Sequence, residues 1–362
     1  MVSFAQFGNE LYTGKRSYNI VGKRKRWFFI AGLLIVLSIV LLTVVRLNPG
    51  IEFRGGSEFQ VADVATVDQD LAYAAVDSIE TDHVARVSQV GSDTIRVQTE
   101  ELTDEETTRL ADALADAYDV PTSNVTASFV GPAWGKDVTS KALRGLVIFL
   151  ALVTIVMAGY FRNWKMSIAA LVALLHDLVI TVGLYAGVGF EVTPATVIGF
   201  LTIMGYSLYD TVVVFDKVRE NTAGVLEQTR YTYAEAANLA VNQTLVRSIN
   251  TSVVGLLPVG SILFVGSFLM GAGTLRDIAL ALFIGLIFST LSSIFIATPI
   301  EVWLKEREAA IAAHTEKITA SRSSIDDEGN VVVDTPVVGG LVAGRHLGQD
   351  AQPVRKRARR RK

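Results

Sequence analysis

Val197-Ile198-Gly199-Phe200-Leu201-Thr202-Ile203-Met204-Gly205-Tyr206-Ser207-Leu208-Tyr209-Asp210-Thr211-Val212-Val213-Val214-Phe215 is an apolar stretch that carries a carboxylate. A helix needs about 20 apolar residues to cross about 30 Å of hydrocarbon, and this stretch is long enough. An aspartate there costs roughly 2.5 to 3.5 kcal/mol on insertion scales, so such residues face a protein interior or a water-filled path and mark ion or proton routes. Asp210 is therefore the first candidate functional residue. The competing reading is a carboxylate that only pairs, or reaches for the polar boundary, near a helix end.

Working outward, the 362-residue chain is 50% apolar, with a mean hydropathy of +0.40. Its apolar residues gather into six runs: Trp27 to Val45, Ala142 to Phe161, Met166 to Val188, Thr193 to Phe215, Leu245 to Val265 and Leu275 to Pro299. This pattern is that of an α-helical polytopic membrane protein with six transmembrane helices. Lys15, Arg16, Lys23, Arg24, Lys25 and Arg26 precede the first run, and Arg162, Lys165, Lys217, Arg219, Arg230, Lys305 and Arg307 occupy the loops on the same side. Lys and Arg mark cytoplasmic segments, so residues 1–26 form a basic cytoplasmic N-terminus and both termini lie inside. The opposite loops around Gly189 and Gly271 are short and nearly uncharged. No small-x-small cleavage site follows the first run, which reads as an anchor (residues 27–45) and not as a signal peptide.

The segment 46–140 is the large exported piece. It holds 18 acidic against 6 basic residues, a net of -12, which repels phosphate and argues against nucleic acid as a partner. Its pattern predicts a strand at Ser57 to Ala62, a helix from Val67 to Ile79 preceded by Thr66, and strands at Val84 to Val90 and Thr94 to Thr99. A helix at Asp104 to Tyr118 and a strand at Val125 to Val130 follow. Thr103 and Glu106 have capping-box spacing. The order βαββαβ is the ferredoxin-like α+β arrangement, two helices over one sheet face.

Residues 141–299 hold helices two to six, with a cytoplasmic loop at 217–244. Ala234, Ala237, Leu239 and Val241 recur there at helical spacing, which predicts a helix lying along the membrane surface. Residues 300–362 read as a tail, polar and low in aromatics from Ala309 onward, and largely disordered. It ends in Arg355-Lys356-Arg357-Ala358-Arg359-Arg360-Arg361-Lys362, whose charge suits anionic lipids at about 1 kcal/mol per residue.

Few ionisable groups fall inside the spans. His176 and Asp177 sit near the middle of the third, Asp210 in the cytoplasmic half of the fourth, and Arg247 at the cytoplasmic start of the fifth. Asp210 and Arg247 at similar depth either neutralise each other as a structural pair or exchange partners as the aspartate takes and releases a proton. Gly199, Gly205, Gly255, Gly260, Gly285, Ser289, Ser292 and Ser293 let helices approach closely, and Pro258 removes a backbone hydrogen bond from the fifth. The chain has no cysteine and four histidines. No zinc spacing, phosphate loop or nucleophile elbow occurs, so neither a cofactor, a metal nor a catalytic site is expected.

These same residues carry a family resemblance. Gly205 to Asn221 (Gly-Tyr-Ser-Leu-Tyr-Asp-Thr-Val-Val-Val-Phe-Asp-Lys-Val-Arg-Glu-Asn) and Asn242 to Ser252 (Asn-Gln-Thr-Leu-Val-Arg-Ser-Ile-Asn-Thr-Ser) resemble the signature of the SecF family, accessory subunits of the bacterial Sec protein translocase. Phe53-Arg54-Gly55-Gly56, Val130-Gly131-Pro132, His176-Asp177 and Phe283 to Pro299 add to the likeness. The resemblance implies one six-helix half of an RND-like architecture, paired with SecD beside the SecYEG channel in the cytoplasmic membrane. It also implies proton-driven export of unfolded preprotein, with Asp210 and Arg247 as relay and His176, Asp177, Tyr209 and Thr211 in support. Family members commonly have Asn where Tyr209 stands. The alternative functions are half of an RND-type proton-coupled lipid or drug exporter, or a non-transporting receptor.

Overall fold

The computed structural model describes residues 4–79, 85–266, 273–325 and 331–333. In chain order the helices are α1 (Phe4–Tyr12), α2 (Arg24–Val44), the single turn α3 (Ile51–Arg54), α4 (Gln69–Asp77), α5 (Asp104–Tyr118), α6 (Pro132–Phe161) and α7 (Trp164–Val188). There follow α8 (Pro194–Thr222), α9 (Tyr233–Ser261), α10 (Gly273–Ser292), α11 (Thr298–Lys305) and α12 (Ala309–Arg322). Among the described residues, six helical stretches are long and apolar enough to cross a membrane, and they include α2, α6, α7, α8, α9 and α10. Phe29, Leu33, Val147 and Ile155 stand out exposed on α2 and α6, as side chains meant for lipid do.

Two compact units divide the chain. The larger comprises residues 26–211 and 250–297; the smaller comprises residues 212–249 together with the chain ends 1–25 and 298–362.

In the larger unit, strands β2 (Gly56–Val61), β3 (Arg86–Val90), β4 (Thr94–Thr99) and β5 (Val125–Val130) form one antiparallel sheet in the order β3-β4-β2-β5. That order, with α4 and α5 between strands, is the ferredoxin-like one. Alternation decides the faces. Phe59, Val61, Ile95 and Val97 point into a core closed by Ala72, Val76, Leu110 and Leu114. Glu58, Arg96 and Gln98, out of phase by one residue, lie on the other face. The Thr103 capping box forms, but α4 is capped by Asp68, which accepts from the Asp70 amide, and not by Thr66. The aspartate side chain closes onto the amide two residues on, as short carboxylates do. The expected strand residue Val84 lies outside the described residues.

Gly56 enters β2 at φ +136°, with its Cβ position 2.3 Å from the Thr99 carbonyl, so a side chain there meets backbone. Below the sheet, β1 (Asn48–Pro49) pairs in parallel with β6 (Glu191–Val192), the turn that joins α7 to α8. Helices α7, α8 and α10 share a core of Tyr185, Phe200, Ile203, Ala281 and Ile284. A π-helical turn, Ser293–Ala297, separates α10 from α11, and another, Ile262–Gly266, follows the helix that contains Pro258.

The smaller unit departs from two expectations. First, residues 217–244 do not form a separate helix. Helix α8 runs on to Thr222 and α9 begins at Tyr233, so Ala234, Ala237, Leu239 and Val241 belong to the opening turns of the long fifth helix. Their partner is the N-terminus. Asn242 Oδ1 accepts from the Tyr18 amide at 2.7 Å, and Asn238 Oδ1 accepts from the amides of Ile20 and Val21 at 2.8 and 3.0 Å. Leu11, Ile20, Val21, Ala236, Ala237 and Ala240 are buried. Second, part of the tail is helical. In α12, Ile311, His314 and Ile318 are buried, Arg322 grips Glu235 with both terminal nitrogens at 2.7 and 3.0 Å, and His314 Nε2 lies 2.7 Å from the Gln228 carbonyl oxygen. The helix forms despite the low aromatic content because it buries these side chains and hydrogen-bonds to Gln228 and Glu235. The basic end, Arg355 to Lys362, lies outside the described residues.

Candidate functional site

Within the larger unit, helices α7, α8 and the end of α10 bring together a set of polar side chains. Asp177 on α7 is 1% exposed. Its Oδ2 accepts from Ser207 Oγ of α8 at 2.8 Å and from Ser292 Oγ of α10 at 2.7 Å, while His176 Nδ1 lies 3.2 Å from Oδ1. A carboxylate held away from water needs such donors, because an unsatisfied buried charge is the costlier state. Thr181 Oγ1 completes the turn by donating to the Asp177 carbonyl at 2.7 Å.

The network continues along α8. Ser207, Asp210 and Thr211 are three and four residues apart and so share a helix face; Ser207 and Asp210 are separated by about 4.5 Å of rise. Asp210 is 8% exposed and Thr211 2%. The hydroxyls of Thr211 and Ser293 lie 2.9 Å apart, and Ser293 Oγ donates to the Ser207 carbonyl at 3.5 Å. Consecutive residues on a helix point about 100° apart, which lets Ser292 reach α7 while Ser293 reaches α8. The π-helical turn begins at Ser293, and such turns recur at functional sites because they free the backbone from its regular pairing.

His176, Asp177, Asp210 and Thr211 are therefore buried in one helical layer. Tyr209 is not: it is 54% exposed, and consecutive helix positions separate it from the Asp210 face. Arg247 is an exposed residue inside α9, well after the helix start at Tyr233, in the part of that helix belonging to the smaller unit. The sequence marked Ser292 and Ser293 as small residues that let helices approach and whose hydroxyls bridge between them, and it marked no separate role for Ser207. The signal available was their spacing: Ser289, Ser292 and Ser293 at i, i+3 and i+4, and Ser207 one turn before Asp210.

Two family models match. Protein export membrane protein SecD/SecF, C-terminal, covers residues 110–307, and the SecD/SecF GG motif covers residues 40–62, including Gly55 and Gly56. Protein translocase subunit SecF of Streptomyces coelicolor is 45% identical over 348 residues, 93% of this chain and 92% of the relative. The chain belongs to the SecF family. Protein translocase subunit SecF of Mycobacterium tuberculosis is 43% identical, over 88% of this chain and 74% of its own. The crystal structure of SecDF, a translocon-associated membrane protein from Thermus thermophilus, superposes with a TM-score of 0.71 at 30% identity. That match covers 81% of this chain and 39% of the SecDF chain, so the present chain spans well under half of it. As a SecF family member it is a multi-pass bacterial membrane protein and a subunit of the Sec protein-export machinery, a transport component and not an enzyme.

Proposed function

We propose that the chain uses the proton motive force, together with SecD and beside the SecYEG channel, to promote export of unfolded preprotein across the cytoplasmic membrane. The observation that carries this reading is the burial of two aspartates, Asp177 and Asp210, on helices apolar enough to span a bilayer, with Asp177 accepting from serine hydroxyls of two neighbouring helices. Asp210 takes and releases the proton. Arg247 is its switching partner, because an approaching guanidinium favours the carboxylate and a departing one favours proton uptake. His176, Asp177 and Thr211 hold the polar surroundings. One charge crossing 100 mV releases about 2.3 kcal/mol, and repeated cycles add up to mechanical work.

The segregation of Lys and Arg puts both termini in the cytoplasm and the acidic domain 46–140 outside, with the basic terminus drawn to anionic lipid. An SecDF relative from Thermus thermophilus, 37% identical over half of this chain, supports pairing with SecD. The test is Asp210→Asn in inverted vesicles. The variant inserts and associates with SecD normally, yet proton-gradient stimulation of export disappears; undiminished stimulation refutes the relay.

A further inference from the structure

Glu191 stands in the turn between α7 and α8, beneath the open face of the exported sheet. Arg96 Nη1 donates to Glu191 Oε2 at 3.3 Å, and Gln98 Nε2 donates to Glu191 Oε1 at 2.7 Å. The same two strand residues also hold Glu58: Arg96 Nε lies 3.7 Å from Glu58 Oε1, and Gln98 Nε2 lies 3.1 Å from Glu58 Oε2. The ionic side chains are only 12 to 18% exposed.

The backbone repeats this connection. Gly50 N donates to the Val192 carbonyl at 2.9 Å, and Asn48 Nδ2 donates to the Gly189 carbonyl at 3.1 Å. One residue further, Thr193 Oγ1 donates to Asp277 Oδ2 of α10 at 3.0 Å. The chain leaving α2, the α7 to α8 turn and the start of α10 thus meet under one strand.

Within the sheet Arg96 faces Glu58, but that pair is no part of the domain's core. The core of that domain lies on the opposite face, where Ile95 and Val97 point. What Arg96 reaches beyond its own sheet is the turn whose two helices carry Asp177 and Asp210. A guanidinium fork can hold two carboxylates at fixed angles, so it transmits displacement better than a flexible ammonium.

We infer that Arg96 is a positioning residue that couples the exported domain to the membrane helices, delivering movement of α7 and α8 to the sheet through Glu191 and Gln98. This rests on the proton-driven reading above. When the α7 to α8 turn shifts, Glu191 draws the β4 strand with it, and the domain tilts as a body because its core is on the far face.

The test uses the full chain with SecD in membranes, with proton-stimulated export and amide hydrogen exchange as readouts. Arg96→Gln lowers stimulation about tenfold, since removing one partner of a desolvated pair strands the other. Exchange at the Gly50 amide accelerates, the amides of Ile95 and Val97 keep their protection, and Arg96→Lys, which keeps the charge but not the fork, recovers only a minor part of the stimulation. Glu191→Gln, which lies outside the sheet, reproduces the loss. Full stimulation in Arg96→Gln or in Glu191→Gln overturns the inference, as does accelerated exchange throughout the sheet in both variants. Wild-type chain lacking any proton stimulation defeats the proton reading itself, which is a separate outcome.

Discussion

Asp177 accepts hydrogen bonds from two serines on two different helices. Replacing Ser207 or Ser292 by Ala removes a donor and leaves a buried acceptor short, at about 1–3 kcal/mol each. The two losses do not add, because they meet at one oxygen. Thermal unfolding of the purified chain in detergent measures both, and the double variant gives the coupling. Glu52, near the foot of the sheet domain, supplies a pH dependence. Burial pushes its carboxyl above the ordinary glutamate range, Glu191 and Glu58 add to the rise, and a backbone hydrogen bond and Arg96 oppose it. A carboxyl that holds its proton more tightly folded than unfolded stabilises the fold fully below the ordinary value of about 4.3 and loses that contribution as pH rises through its folded value. Glu52→Gln is expected to abolish this loss, so the stability difference between variant and wild type widens in the variant's favour on raising pH from 4 to 7. Unfolding midpoints of the two chains across that range decide it.

The contacts between elements depend on side-chain size more than on charge. A Cβ on Gly285 of α10 would lie 2.2 Å from Ile203 Cδ1 of α8 and 2.6 Å from two further atoms of that side chain. Gly285→Val therefore forces α10 away from α8, at about 1–3 kcal/mol of overpacking, and disturbs the contact of Thr211 with Ser293 of the π-helical turn that follows α10. Ile203→Ala in the Gly285→Val background restores room; recovery of the unfolding midpoint is the expected outcome, and no recovery shows that the helices are held apart by something else. In the smaller unit, α12 is fastened by Arg322 to Glu235 at the start of α9. Arg322→Ala loosens it, so amide exchange over 309–322 accelerates while the interior of α9 keeps its protection.

For the molecule as a whole, the sheet domain after the first helix has its own apolar core and the helices have theirs, so their stabilities separate. Leu114, fully buried between α5 and the sheet, is the position to probe. Leu114→Ala costs about 2–5 kcal/mol through lost burial and the cavity left behind, and limited proteolysis of the membrane-embedded chain is expected to cut within 46–140 before it cuts the helices.

The number of spans, the strands at 94–99 and 125–130, the helix at 104–118 with its capping box and the burial of Asp177 and Asp210 could be read from local rules, because hydrophobic length, strand alternation and the high cost of a lipid-facing carboxylate act along the chain itself. Family membership was legible in the motif around Asp210 for the same reason. Tertiary structure alone decided the rest. What residues 233–244 pack against depended on an N-terminal segment more than 200 residues away offering its amides to Asn238 and Asn242. Whether Ser207 and Ser292 pack or solvate a charge, and whether Glu191 is a loop residue or a joint, depended on which distant carboxylate or guanidinium came within 3 Å or so. Hydrogen bonds between remote residues leave no periodicity in a sequence, so only the folded chain shows them.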